Sequence, residues 1–491
     1  MTNAGIVSRG LAALVDMLVV VVTMGLLYLG LVLTTLIVNP TSFRFPAPNL
    51  IFSTAVTFAV SVLYRLHVTL WSLFGGLLTL LEKDIGDAVD FGTLQASVGQ
   101  EGAPVVRLLQ TVFEEAVRLR ASDIHVEPQE RTLRIRFRID GVLYVQTEAD
   151  VKIAPSVALR LKLMSGLDIS EKRLPQDGRF NMTIRGAPVD VRISTLPSQY
   201  GESVVMRLLN QAAGLVSLDR IGLSDDMLTR LRRAAARPSG MILVTGPTGS
   251  GKTTTLYSVL AELNSTERKI ITVEDPVEYR LAGINQVQVQ EKIDLSFERV
   301  LRAALRQDPD VILVGEMRDR ATAEIGMRAS MTGHLVLSTL HTNTAAGAVI
   351  RLQDMGLERY LITSSVNGVL AQRLVRRLCT ACKAPVDLDE SVLERSGLKR
   401  FMGGSTRVYN PVGCPACRQT GYSGRTGIHE LFVLGESMHQ AIISGADATA
   451  LHETARKSGM FTLYEDGLRK VAAGETSLEE VLRVTQDQGN A

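Results

Sequence analysis

The sequence has little net charge and few cysteines, and each shortage excludes a class of protein. Its 491 residues carry 53 basic and 51 acidic side chains, so no strong field marks the whole chain as a nucleic-acid binder. Four cysteines are too few for a secreted disulfide scaffold, which favours a reducing compartment. Apolar residues make up 46% of the chain, which excludes a disordered protein, and the length predicts two or three domains.

Charge is nearly missing from the N-terminal part of the chain. The first 81 residues hold only four charged side chains, which are Arg9, Asp16, Arg44 and Arg65. The 22 residues from Met17 to Val38 carry no charge, and a helix of that length would reach about 33 Å, enough to cross a bilayer. A second apolar stretch, Leu50 to Leu81, is interrupted by Arg65 and His67, which leaves open a second span or a surface that docks on another membrane protein. We therefore predict a membrane segment with one or two transmembrane helices at 1–82 and a linker at 83–100.

The next part of the chain has the pattern of a small α+β domain at 101–210. Apolar residues recur at helical spacing from Val105 to Arg120. Thr132 to Val145 alternates around Asp140-Gly141, and Phe180 to Ile193 alternates around Arg185-Gly186, which predicts two β-hairpins. A helix at Ala154 to Met164 is predicted between them.

A phosphate-binding loop is the most specific motif of the sequence. The apolar strand Met241 to Thr245 is followed by a glycine-rich loop and then by a helical pattern that ends at Leu263. This is the Walker A pattern in the strand, loop and helix context that it requires. We expect its backbone N–H groups to surround phosphate oxygens, Lys252 to neutralise the β and γ phosphates, and the Thr253 hydroxyl to bind Mg²⁺. The predicted nucleotide-binding residues are Gly246, Pro247, Thr248, Gly249, Ser250, Gly251, Lys252, Thr253 and Thr254.

Carboxylates and histidines follow three further apolar strands of the predicted α/β domain at 211–491. Glu316 comes after the strand Val311 to Gly315, as in a Walker B motif, and is expected to handle the metal. Glu274 ends another strand and is a candidate to orient the attacking water. Asp275 and Glu278 follow it, and for these two a role in the turn or as a helix cap stays open.

Two histidines, His334 and His341, lie at the two ends of one apolar strand. A lone histidine usually belongs to the packing of a protein. Two at strand ends beside a phosphate site are candidates for sensing the γ-phosphate, and His334 is placed among the predicted catalytic residues.

The four cysteines form two Cys-x-x-Cys pairs that are separated by 31 residues. Two such pairs predict a closed tetrahedral Cys₄ zinc site in a subdomain at 376–420, with a structural role only. Four free thiols or a redox dithiol are the alternatives, and the arginine-rich stretch before the first pair is unlike the strand-to-helix entry of a redox site. The predicted ligands are Cys379, Cys382, Cys414 and Cys417.

Taken together, the motifs resemble those of the type II secretion and type IV pilus assembly ATPases, within the secretion ATPase superfamily of P-loop NTPases. The resemblance covers residues from about 100 to 487. Besides the motifs above, it rests on Ser122 to Pro128, Arg173 to Arg179, Arg192 to Pro197, Gly201-Glu202, Leu305 to Asp310 and Gly333 to Asn343.

That resemblance implies an architecture and further roles. It implies a homo-hexameric ring in which a PAS-like domain precedes a RecA-like ATPase domain, with ATP bound between them. Arg179 and Arg192 resemble arginine fingers, and Glu316 and Glu274 resemble the acidic pair at magnesium and water. Within this family the tetracysteine element accompanies secretion and pilus extension, which argues for the assembly direction.

The predicted function is an ATP-hydrolysing motor that powers pseudopilus or pilus assembly and protein export. Its predicted cofactors are ATP, Mg²⁺ and Zn²⁺, and its predicted partners are the inner-membrane platform and assembly proteins of such a machine. The predicted location is the bacterial inner membrane with a cytoplasmic ATPase domain. A membrane-anchored subunit that binds ATP without useful turnover and a DNA-uptake or DNA-translocating ATPase are the alternatives; no basic stretch with interleaved aromatics supports nucleic-acid binding.

Overall fold

The computed structural model describes residues 103–210 and 215–485, together with Leu33 and Ile37. The predicted membrane segment and linker at 1–100 therefore lie almost wholly outside the described residues. Among the helices within the described ranges, none has the length and apolar character that crossing a bilayer requires.

The first part of the described chain is a six-stranded antiparallel sheet covered by two helices. Its strand order is β3-β2-β1-β6-β5-β4. Both predicted hairpins are present, and the predicted helix at Ala154–Met164 has those bounds. The elements are α1 (Ala103–Arg118), β1 (Asp123–Pro128), β2 (Thr132–Ile139), β3 (Val142–Asp150), α2 (Ala154–Met164), β4 (Gln176–Ile184), β5 (Ala187–Ser198) and β6 (Gly201–Asn210).

Alternation along these strands decides which face is buried. In β2 the apolar residues are buried and the arginines between them are half-buried, because successive side chains of a strand point to opposite faces of the sheet. The apolar face packs on α1 and α2 and forms a core that includes Phe113, Phe137 and Leu161. The polar face is thereby left with a high density of arginine.

The second part is a seven-stranded sheet between two layers of helices. Its order is β15-β12-β7-β11-β10-β8-β9, parallel except for the edge pair of β12 and β15. The strands are β7 (Gly240–Thr245), β8 (Ile270–Glu274), β9 (Asn285–Gln288), β10 (Val311–Val314), β11 (Leu335–Leu340), β12 (Val366–Leu378) and β15 (Tyr422–Val433).

The central strands are short continuous apolar runs because both of their faces are covered. All six residues of β7 are buried. Its Met241 and Leu243 belong to one apolar cluster, and Ile242 and Val244 belong to another on the opposite face. The flanking helices are α3 (Asp225–Ala235), α4 (Lys252–Leu263), α5 (Phe297–Ala304), α6 (Arg320–Met331), α7 (Ala345–Asp354), α8 (Arg359–Ser365), α10 (Glu436–Ser444) and α11 (Ala448–Lys457).

A small subdomain follows β12 and contains the cysteines. It consists of a two-stranded sheet, β13 (Ala384–Asp387) and β14 (Arg407–Asn410), and a short helix, α9 (Glu390–Arg395). Its apolar residues Leu393 and Leu398 pack with Leu468 and Val481, which belong to the C-terminal helices α12 (Leu463–Ala472) and α13 (Leu478–Thr485). The subdomain therefore shares its core with the end of the chain.

Candidate nucleotide site and metal centre

The phosphate loop lies where the sequence predicted it, between β7 and α4. Helix α4 begins at Lys252, and its N-cap Gly251 has a left-handed conformation with φ of 90°, which glycine adopts without strain. No side chain caps this helix. The N–H groups of its first turn are therefore available to a phosphate group, and the positive end of the helix dipole favours an anion there.

Lys252 folds back over the loop. Its Nζ donates hydrogen bonds to the carbonyl oxygens of Gly246 at 2.8 Å and Pro247 at 3.1 Å. Burial lowers the pKa of Lys252 to about 8, an effect that nearby Glu316 opposes and Arg373 reinforces. The Lys252 amine, which is predicted to bind phosphate, therefore lies close enough to the Glu316 carboxylate, which is predicted to bind the metal, for Glu316 to affect the pKa of Lys252.

Glu316 lies at the carboxyl edge of the sheet, directly after β10 and Gly315. Its carboxylate contacts the Arg318 guanidinium, and one oxygen lies 3.4 Å from Nε2 of His341. Arg318 also lies 3.6 Å from the Asp275 carboxylate. The Glu316 side chain is 18% exposed, so it remains accessible to an ion or a water molecule.

Glu274, the candidate to orient the attacking water, is enclosed by other side chains in this structure. The residue is 3% exposed, and its carboxylate accepts hydrogen bonds from the Tyr257 hydroxyl, from Thr272 Oγ1 at 2.5 Å and from Gln286 Nε2 at 3.2 Å. Both oxygens are occupied by side chains of the protein. This arrangement makes Glu274 a buried link between α4, β8 and β9.

The sequence analysis named His334 as a candidate catalytic residue that senses the γ-phosphate, and the structure gives its position in the sheet. It precedes β11, and its carbonyl accepts a hydrogen bond from the N–H of Gly240, the first residue of β7. Because β11 and β7 are parallel, His334 lies at the amino edge, and the six residues of β11 separate it from the phosphate edge by about 20 Å. His341, at the other end of the strand, is the histidine that reaches Glu316.

The predicted arginine fingers are neighbours in the first sheet and face the domain of the second sheet. Arg179 and Arg192 are directly paired across β4 and β5. Both line a cavity of about 510 Å³, which Pro276 and Gln288 of the second sheet's domain also line. Arg192 donates hydrogen bonds to the Glu278 carboxylate at 3.0 Å and the Val277 carbonyl at 3.4 Å. The structure therefore brings these arginines to the segment that follows Glu274.

Other polar residues of the site were not singled out from the sequence. Thr245, the last residue of β7, bonds through its hydroxyl to the N–H of Thr342 at 2.9 Å, which ties the loop after β11 to the base of the phosphate loop. Gln372 is buried in β12 and contacts the phosphate loop. A glutamine directly after the apolar run from Val369 to Ala371, within a buried strand, was the signal that would have marked it.

The four cysteines converge as predicted. Their Sγ atoms all lie within 4.8 Å of one another, with distances of 3.9 Å between Cys379 and Cys414 and 3.7 Å between Cys382 and Cys417. Four thiolates at about 2.3 Å from one zinc ion lie about 3.8 Å apart in a tetrahedron. The donor set and its spacing therefore fit zinc.

One thiol of the cluster is prepared for metal binding by the backbone. Burial alone would raise the pKa of Cys417, but N–H groups of Cys414 and Gly421 donate to its sulfur and lower the pKa to about 6. These backbone hydrogen bonds favour the thiolate form of Cys417, which is the form that binds a metal.

Comparison with known protein families identifies the chain. A model of the family described as "Type II/IV secretion system protein" matches residues 99–483. The chain belongs to this family. The family predicted from the sequence motifs is thereby confirmed.

Two relatives show how far the similarity extends. The type II secretion system protein E of Dickeya dadantii is 50% identical over 418 residues, which are 83% of this chain and 82% of the relative. The type II secretion system ATPase E of Vibrio cholerae is 50% identical over 416 residues, with the same coverage. Because the identity is 50% over most of both chains, the prediction of an ATP-hydrolysing secretion or pilus motor is confirmed.

Solved structures agree on the fold. The chain is 28% identical to the pilus retraction motor PilT, solved with bound ADP, with a TM-score of 0.51 over 76% of this chain and 96% of that one. The Legionella pneumophila ATPase DotB gives a TM-score of 0.56 at 21% identity, over 76% of this chain and 94% of that one. The α/β fold of a secretion ATPase is therefore confirmed.

Proposed function

We propose that this secretion ATPase hydrolyses Mg·ATP at Gly246 to Thr254 and uses the energy to drive assembly of a pseudopilus or pilus and protein export. The observation that carries the proposal is the uncapped N-terminus of α4, which begins with Lys252, together with the Glu316 carboxylate close enough to act on the charge of Lys252. The names of the 50% identical relatives support type II secretion as the setting.

Roles for the site residues follow from their chemistry. The loop N–H groups and Lys252 bind the phosphates, and the Thr253 hydroxyl and Glu316 are the groups that would hold Mg²⁺. Bound Mg²⁺ supplies positive charge to the phosphate oxygens. Arg179 and Arg192 supply further positive charge to the transferring phosphoryl group, and release of Arg192 from Glu278 would precede that contact.

The cysteine cluster is proposed as a structural zinc site. Its four sulfurs leave no position for a reacting molecule, so zinc would order the subdomain without acting on ATP. By the family resemblance the element also supports assembly rather than retraction.

The ATPase assay that tests the site uses Lys252→Ala beside a matched surface variant, Lys292→Ala. Lys292 is exposed in a short turn after β9 and is not part of the phosphate loop. We expect Lys252→Ala to lose turnover at least a hundredfold because it removes charge at the phosphates, while Lys292→Ala keeps wild-type turnover. Turnover within twofold of wild type in a folded Lys252→Ala protein contradicts the site.

The cellular role is tested by complementation. A strain that lacks the gene should regain export when it carries the wild-type chain and should not regain it with Lys252→Ala, provided that both proteins accumulate equally. Export restored by Lys252→Ala would favour the alternative of a subunit that binds ATP without useful turnover.

Assembly and location remain proposals. We propose a homo-hexamer with a PAS-like domain before the RecA-like ATPase domain, attached to the inner membrane through the apolar segment at 1–82 and to the platform proteins of the machine. Sedimentation of the full-length chain with nucleotide tests the hexamer. Extraction with alkaline carbonate tests the attachment, because a true span resists extraction through its buried apolar surface, and release of the full-length chain would contradict the span.

A further inference from the structure

Gln372 lies beside the first residue of the phosphate loop. Strand β12 is parallel to β7, and Ala371 is paired with Thr245 at the end of β7. Strand β12 continues past this point, so Gln372 is level with Gly246. The Gln372 side chain is buried, with 2% of the residue exposed, and a buried amide needs partners for both its oxygen and its nitrogen.

Both partners of Gln372 belong to the phosphate-binding element. Its Nε2 donates to the carbonyl oxygen of Ser250 in the loop at 2.6 Å, and its Oε1 accepts from the Thr255 hydroxyl in the first turn of α4 at 2.8 Å. One side chain of the sheet therefore holds the loop and the helix that follows it. Loss of the amide would leave the Thr255 hydroxyl and the Ser250 carbonyl without these partners in a buried place.

The backbone of β12 also approaches the loop closely. A Cβ atom on Gly246 would lie 2.5 Å from the carbonyl oxygen of Gln372, and one on Gly251 would lie 3.1 Å from its Nε2. Gly246 has a φ of 149°. The loop therefore lies directly on Gln372. Its shape depends on the carbonyl oxygen and the side-chain amide of this residue.

We propose that Gln372 is a positioning residue for nucleotide binding, which holds the phosphate loop and the start of α4 in the shape that receives phosphate. The proposal rests on the function proposed for Gly246 to Thr254. The loop N–H groups contact phosphates that ATP and ADP share, and they do so in the ground state as well as in the transition state. Loosening the loop should therefore raise KM and the Kd for ADP together and change kcat little.

The same strand offers a matched control. Asn367 is also a buried amide of β12, with 8% of the residue exposed. Its Nδ2 donates to the Ser239 carbonyl at 3.0 Å, and its Oδ1 accepts from Arg237 at 3.0 Å. These contacts lie at the amino edge of the sheet, away from the phosphate loop, so Asn367→Leu removes equivalent hydrogen bonds without touching the nucleotide site.

The experiment compares Gln372→Leu with Asn367→Leu in the full-length chain. We expect Gln372→Leu to raise KM for ATP and Kd for ADP about tenfold, as for the loss of one or two buried hydrogen bonds, with kcat within threefold of wild type. Asn367→Leu should lower Tm as much and leave KM and Kd unchanged. A residue with only a structural role would reduce the number of active molecules, which lowers kcat and leaves KM unaltered.

A second, milder variant keeps the test decisive if Gln372→Leu does not fold. Thr255→Val removes one hydroxyl with little change of shape, and we expect it to raise KM about threefold. Where Gln372→Leu does fold, adding Thr255→Val to it should raise KM no further, because the two residues act through one hydrogen bond.

Three results would overturn the proposal: KM and Kd within twofold of wild type in folded Gln372→Leu, an equal rise in Asn367→Leu, or, with Gln372→Leu unfolded, no effect of Thr255→Val. If the wild-type chain binds ATP and loses it in Lys252→Ala, these results contradict only the role of Gln372. If the wild-type chain itself does not bind ATP, the function proposed for the loop fails as well.

Discussion

The pH dependence of ATP use is predicted by the environment of Lys252. Its amino group is partly buried beside the loop carbonyls, and this burial lowers its pKa to about 8. Only the protonated amine can neutralise phosphate charge. An exposed lysine, with a pKa of about 10.4, would keep its charge over the whole range in which the enzyme can be assayed.

The size of the effect follows from the charged fraction of Lys252. With a pKa of about 8, about nine tenths of the chains carry the charge at pH 7, half at pH 8 and about one tenth at pH 9. The apparent affinity for ATP is reduced by the fraction of competent protein, so kcat/KM should fall about tenfold between pH 7 and pH 9. The lowered pKa of Lys252 fixes the direction of the change. The value of kcat/KM is high at a pH below this pKa and falls as the pH rises through it.

The assay is kcat/KM for Mg·ATP from pH 6.5 to 9.5, with circular dichroism at each end to confirm that the protein stays folded. Lys252→Arg is the control because a guanidinium group does not titrate in this range. Its activity should be lower than that of the wild type but should not fall between pH 7 and pH 9. A flat wild-type profile, or an equal fall in Lys252→Arg, would refute the reasoning.

Three further predictions concern the other groups of the molecule. Glu316→Gln should lower kcat at least a hundredfold and keep ADP binding, whereas the exposed variant Glu298→Gln should behave as wild type; equal activity of the two would exclude Glu316 from the site. Arg192→Ala should lower kcat about a hundredfold and ATP affinity less than threefold, because a finger acts in the transition state, and equal losses would indicate ordinary binding. Elemental analysis should find one zinc per chain. Its chelation should increase hydrogen exchange around Cys379 without changing KM, because that residue lies about 23 Å along β12 from Gln372; a KM that rises with chelation would contradict this separation.

Local patterns predicted the hairpins and the phosphate loop well. The strand, loop and helix around Gly246 to Lys252 were predicted because glycine requirements and apolar runs are properties of neighbouring residues. The turns at Asp140-Gly141 and Arg185-Gly186 form as expected, and the residue before each glycine has a positive φ. The four cysteines also converge as expected. The two Cys-x-x-Cys pairs predicted this because one zinc ion needs four ligands, although the pairs are far apart in the sequence.

Contacts between distant strands determine the surroundings of two candidate residues, which local sequence does not indicate. Motif membership placed Glu274 and His334 near phosphate, but the first is enclosed by Tyr257 and Gln286, and the second is at the amino edge. Strand direction was the missing consideration for the histidine, because parallel strands place their carboxyl ends at the ligand edge. Nothing in the local sequence of Glu274 indicates the tyrosine that covers it.

The buried position of Glu274 gives the buried polar groups of this domain a common role. Helix α4 is bonded on one side to β12, through Thr255 and Gln372, and on another to β8, through Tyr257 and Glu274. Apolar packing alone would allow small rotations of the helix, because it has no preferred direction, whereas hydrogen bonds weaken when their angles change. The N-terminus of α4 is the phosphate-binding end, so even small rotations would move its N–H groups away from the phosphate. The polar residues in these otherwise apolar strands are therefore best explained as anchors that orient the helix for binding.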